Sequence, residues 1–145
     1  MSIILDNLEV REAVAQDVVR VEGVAPGVAE GVGVVKDRGA EQGDAAAQKQ
    51  LAAMHCKGEG VPQDYVEAVK WYGLAAEQGL TLAQYNLGLR LANGQGVPQD
   101  FIKAYAWLSV AAAGGYRDAP KYRDIIAGKL TPGQLLQAQQ RATEL

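Results

Sequence analysis

The chain has one cysteine, Cys56, and one histidine, His55. A single cysteine cannot close an internal disulfide. One residue of each kind cannot assemble the ligand set of a zinc site. Neighbouring residues on a helix point in different directions, so His55 and Cys56 do not form a nucleophile–base pair either. Aromatic residues make up only 6%, with a single phenylalanine. Positive charge is also scarce: 14 Lys and Arg face 17 Asp and Glu, a net charge of -3, which argues against a nucleic-acid partner. No apolar run approaches the length of a membrane span. The opening Met1-Ser2-Ile3-Ile4-Leu5-Asp6 lacks the basic n-region and apolar core of a secretory signal. The expectation is a cytoplasmic protein with no membrane insertion, no metal and no cofactor. The alternative is a periplasmic or exported protein whose natural start lies elsewhere.

What the chain does have is repetition. Gly58-Glu59-Gly60-Val61-Pro62-Gln63-Asp64 returns thirty-six residues later as Gly94-Gln95-Gly96-Val97-Pro98-Gln99-Asp100. Ala47, Gln48, Leu51, Ala68, Trp71 and Ala76 recur as Ala83, Gln84, Leu87, Ala104, Trp107 and Ala112. A fixed period of this size marks stacked units, each too small to bury its apolar face alone. With 145 residues and 48% hydrophobic content, the chain can hold one modest continuous core.

Each unit reads as helix, turn, helix. Asp44 is placed to cap a helix over 45–57, and Gly58 and Gly60 end it with permissive backbone. Asp64 caps a second helix from Tyr65 to about Gln78, in which Tyr65, Ala68, Val69, Tyr72 and Ala76 form an apolar stripe widened by Trp71 and Ala75. The second unit repeats this, with Thr81 expected as cap for a helix to Asn93 and Asp100 for one from Phe101 to about Gly114. Short connections force neighbouring helices to run antiparallel. Asp118 is expected to open a further helix to about Gly128. Thr131-Pro132-Gly133-Gln134 is a capping box with proline in the first turn, starting a last helix from about Pro132 to Thr143 with a polar outer side suited to a terminal cap. The organisation is thus repeats at 44–79 and 80–115 and a capping helix pair at 116–145. Residues 1–43 read as a degenerate N-terminal helical unit or a partly disordered arm. Ala40-Glu41-Gln42-Gly43 matches the repeat ending Ala76-Glu77-Gln78-Gly79, and upstream the match fades into a Val/Gly-rich run.

Ala83-Gln84-Tyr85-Asn86-Leu87-Gly88, Gly94-x-Gly96-Val97-Pro98-x-Asp100, Ala104-x-x-Trp107 and Ala111-Ala112-x-x-Gly115 together resemble the Sel-one-like repeat (SLR), a relative of the tetratricopeptide repeat. The ending around Leu130-Thr131-Pro132-Gly133-Gln134 is similar to the tail of many bacterial SLR proteins. The resemblance implies an all-α right-handed solenoid of antiparallel helix pairs, acting as an adaptor or scaffold for a protein or peptide partner. Borrowed tetratricopeptide geometry implies a groove lined by first helices: Lys49, Ala53 and Lys57 in one unit, Tyr85, Leu89 and Asn93 in the next, with Asn86 nearby. Lys49, Lys57 and Asn86 would grip an acidic or C-terminal peptide. A cysteine-rich SLR branch binds or hydrolyses β-lactams, but it pairs cysteines within each repeat, and Ala76 and Ala112 hold one such position here.

Other features have structural readings. Gly58-x-Gly60 lacks the Gly and Lys that follow in phosphate loops and is a turn. Asp64 and Asp100 are helix caps rather than acid–base groups. Trp71 and Trp107 sit at equivalent places in the packing stripes rather than on a ligand platform. No catalytic constellation emerges. A remaining alternative is a structural module that forms a homodimer through its N-terminal flank, since the first clear repeat would otherwise expose an apolar side.

Overall fold

In the computed structural model the described residues are 39–145, so the expectations for residues 1–38 lie outside them. Six helices follow in order: α1 (Ala45–Lys57), α2 (Tyr65–Glu77), α3 (Thr81–Asn93), α4 (Phe101–Ala113), α5 (Ala119–Ala127) and α6 (Pro132–Glu144). No strand occurs among the described residues. The protein is an all-α helical repeat solenoid. α1 packs on α2 and α3 on α4, while α2 against α3 joins the two pairs.

The repeated turn is built the same way twice. Gly58 and Gly94 take left-handed backbone at φ 70° and 66°, and their amides bond back to the Met54 and Arg90 carbonyls. The Asp64 and Asp100 amides then bond to the His55 and Leu91 carbonyls, each at 2.9 Å, which reverses the chain. Gln63 and Gln99 donate their side-chain amides to the Cys56 and Ala92 carbonyls at 2.9 and 3.0 Å, tying each turn to its first helix. Asp64 accepts from the Val66 and Glu67 amides, and Asp100 from Lys103, so both act as the expected caps.

Gly96, at φ +78°, sits so close to the start of α2 that a Cβ there would overlap the Tyr65 backbone. The second unit's turn therefore rests on the first unit's second helix. Gln84 crosses the same seam, donating to the Ala76 carbonyl at 3.2 Å. Its equivalent Gln48 donates to the Ala40 carbonyl at 3.1 Å. Gly43 (φ +89°) matches Gly79 (φ +91°) and Gly115 (φ +90°). Residues 39–43 thus occupy, against α1, the place that residues 75–79 occupy against α3. Ala40, 2% exposed, covers part of the flank that the sequence left open.

One sequence expectation is corrected, the Thr81 cap. α3 begins at Thr81, and its N-cap Leu80 makes no side-chain cap bond, because Leu80 packs against the core. Asp118 opens α5 as expected, although it makes no side-chain cap bond, its backbone being already helical at φ -92°, ψ -7°. The C-terminal helices are arranged differently from the repeat pairs. α5 and α6 each pack on α4 more than on each other. α5 has only 9 residues against 13 in the others, and no Gly-x-Gly-Val-Pro turn joins it to α6. The Thr131–Gln134 capping box is present as expected.

Candidate functional site

The faces of α3 are assigned by its contacts. Gln84 reaches α2, and a Cβ on Gly88 would press on Leu108 of α4. At about 3.6 residues per turn, Asn86 points away from the midpoint between those two directions. Arg90 and Asn93 lie four and seven residues further on, on the same side. Shifted back by one repeat, this stripe runs through Gln50, Met54 and Lys57 of α1. Two successive first helices therefore turn equivalent faces the same way.

The face is polar yet buried. Asn86 is 0% exposed, Arg90 0% and Asn93 3%. The Asn86 and Asn93 side-chain amides donate to the carbonyls four residues back, Leu82 and Leu89, both at 3.0 Å. Their Oδ1 atoms are buried without a partner, as is Gln50 Oε1 on α1. Arg90 Nη1 donates to Gln95 Oε1 at 2.6 Å, and the guanidinium lies 5.5 Å from the Tyr65 ring centre. Its Nε and Nη2 have no partner. Buried polar atoms are nearly always satisfied, so a row of unsatisfied ones on one face is unusual.

The sequence-derived residues fall into two groups. Lys49 and Lys57 are half-buried, while Asn86 and Asn93 belong to the polar stripe. Ala53, Tyr85 and Leu89 are part of the hydrophobic core. Tyr85 stands 4.3 Å from Tyr116 and meets Tyr122 edge-on at 6.1 Å, which makes it a joint to the C-terminal helices. Sequence reasoning missed Arg90. The signal was available: thirty-six residues earlier the same place holds Met54, so an apolar position had become cationic.

His55 and Cys56 do not act together. His55 Nδ1 lies 3.3 Å from the Pro62 carbonyl and helps hold the turn. Burial pushes the Cys56 thiol pKa up, opposed by the Arg90 charge and a hydrogen bond with Tyr72. Such a thiol is a poor nucleophile. Among the described residues no group of three or more His, Cys, Asp or Glu gathers to hold a metal, and no helix is long and apolar enough to cross a membrane. An open cleft of about 280 Å³ lies between α4 and α6, where Lys103, Gln137, Arg141 and Glu144 mix both signs of charge.

Comparison with known proteins agrees with this architecture. The Sel1 repeat pattern matches residues 45–80 and 81–116. The structure is similar to that of c5321, a protective antigen present in uropathogenic Escherichia coli strains that displays an SLR fold. The TM-score is 0.72 at 28% identity, covering 92% of this chain and 32% of that one. It is also similar to a Sel1 repeat protein from Oxalobacter formigenes, with a TM-score of 0.63 at 39% identity, covering 64% of this chain and 27% of that one. The chain thus spans about a third or less of the length of these two structures. No curated protein matches it.

Proposed function

The chain belongs to the Sel1-repeat family through its two consecutive repeats, and from that premise we propose that it is a non-catalytic adaptor that takes a protein or peptide segment along the face shared by α1 and α3. Sel1-repeat proteins are typically interaction scaffolds. The observation that carries the reading here is the stacking of two matched repeats, which turns equivalent faces of α1 and α3 the same way. An extended segment lies along such a face without needing an enclosed pocket. Lys49 and Lys57 border the same face and favour an acidic segment.

The test is affinity capture with wild-type protein and a Lys49→Glu plus Asn86→Ala variant shown by circular dichroism to be folded. The variant is expected to lose the partner that wild type recovers. Equal recovery by both would reject this face. The β-lactam alternative gains no support from the lone, buried Cys56. Turnover of a chromogenic β-lactam above a heat-killed control would revive it.

A further inference from the structure

We infer that residues 1–38 lie over the face shared by α1 and α3 and close it in the free chain. On the recognition reading above, a partner gains the face by displacing them.

All sides of α3 but one are accounted for by its neighbours. Gln84 reaches the Ala76 carbonyl of α2, and Gly88 stands against Leu108 of α4. Tyr85 meets Tyr116 and Tyr122, and Arg90 lies near the Tyr65 ring. At about 3.6 residues per turn, the side opposite Gln84 and Gly88 carries Asn86, Leu89 and Asn93. Among the described residues the helices packed closely on α3 are α2 and α4, and the contacts above put them on its other sides. Asn86 and Leu89 are nevertheless 0% exposed, and Asn93 is 3% exposed. α1 repeats the pattern. Ala52 holds the place of Gly88, facing the second helix of its unit, and Ala53 is the next residue round. Ala53 is 1% exposed, although the described helix packed closely on α1 is α2. In a single chain such a cover comes from the chain itself, and residues 1–38 are the part of it outside the described helices.

Their chemistry suits the place. They hold seven of the 17 Asp and Glu but four of the 14 Lys and Arg, so they carry the whole net charge of -3. Residues 39–145 are balanced, and the cations bordering the face are Lys49 and Lys57 on α1, both half-buried. Opposite charge favours this pairing and sets its orientation. Ile3, Ile4, Leu5 and Leu8 supply apolar side chains to set against Leu89 and Ala53. Reach is no obstacle. The segment joins the described chain at Gly39, where an added Cβ would press on Ala47 at the start of α1. Thirty-eight residues span about 57 Å even as helix, against about 20 Å for the length of α1. A cover tethered this way competes at high effective concentration. It lowers the apparent affinity for any partner by the fraction of chains that stay closed.

The experiment maps carbodiimide cross-links by mass spectrometry in the dilute full-length chain. This reagent joins a lysine amine directly to a carboxylate in contact with it. The expected result is Lys49 or Lys57 joined to Asp or Glu of residues 1–38 within single chains. Links from these lysines confined to residues 39–145 would overturn the closure. Links to residues 1–38 found only in cross-linked dimers would give the face to a second copy and overturn it too. A second measurement replaces residues 1–38 by a Gly/Ser linker of equal length and compares hydroxyl-radical labelling with wild type. Leu89 labelling should rise several-fold, while Tyr72, held in the core between the repeats, should not change. Equal labelling of Leu89 in both chains would show that residues 39–145 bury the face unaided, and the inference would fall. Should the linker chain lose its helical signal in circular dichroism, the cross-link map of wild type decides alone. Neither measurement needs a partner. Cross-links within single chains alongside a failed partner capture would keep the closure and remove the adaptor reading, and the reverse pair of results would do the opposite.

Discussion

Replacing Gly96 by alanine tests whether the two repeats are stacked as described. Two costs combine at this position. The backbone is left-handed, φ +78°, which costs a residue with a Cβ about 1 to 2 kcal/mol. The new Cβ would also overlap the Tyr65 backbone at the start of α2, and forcing matter into a packed seam costs about 1 to 3 kcal/mol more. Together the loss is about 2 to 5 kcal/mol. Gly115→Ala is the control: its φ is +90°, and a Cβ there meets nothing within 4 Å. It should lose only the backbone part, about 1 to 2 kcal/mol. Gly94→Ala, with φ +66° and Gln99 Cβ at 3.3 Å, should fall between them. Urea denaturation of the three variants at one temperature measures the differences, read at unchanged slope so that only stability is compared. If Gly96→Ala loses no more than Gly115→Ala, the turn of the second unit does not rest on α2, and the stacking argument fails.

Other consequences follow from the same packing. Trp71→Ala should cost about 3 to 5 kcal/mol, because Trp71 is 9% exposed and lies in the core, whereas Trp107→Ala should cost less, that side chain being only partly buried. Equal losses in urea melts would contradict the difference in burial. Asp64→Ala removes a cap that accepts from two amides and should cost about 1 kcal/mol; Asp118→Ala, with no cap bond to lose, should stay close to wild type in thermal melts. Burial raises the Cys56 thiol pKa in the folded state, so the folded chain holds that proton where the unfolded chain releases it. Its contribution is fully present below the unfolded thiol's pKa and declines as pH rises beyond it. Stability measured from neutral to alkaline pH should therefore fall less steeply in Cys56→Ala, and identical slopes would refute the assignment.

Most of the fold was legible because its signals are short-range. Asp44, Asp64 and Asp100 each precede a helical stripe, and a cap bonds within three residues of itself. Gly58 and Gly94 mark turns because their left-handed backbone is a local demand. Part of the polar face of α3 was legible too: Asn86 and Asn93 fall together by spacing along the helix. Ala53, Tyr85 and Leu89 were assigned to a groove from borrowed repeat geometry, but spacing does not say what a side chain meets across the seam. Tyr85 meets Tyr116 and Tyr122, and that contact depends on residues thirty or more positions away.

The sequence alone determined the thirty-six-residue period, the helix–turn–helix unit and the repeat family, since identical local chemistry recurring at fixed spacing must fold in the same way each time. Only the tertiary structure decided that Trp71 is more buried than Trp107 and that α6 lies on α4. It alone revealed that Arg90 keeps one edge unpartnered inside the protein. The reason is physical: burial and partnering are properties of what surrounds a side chain, and a repeat's surroundings change at the ends of the stack even where its sequence does not.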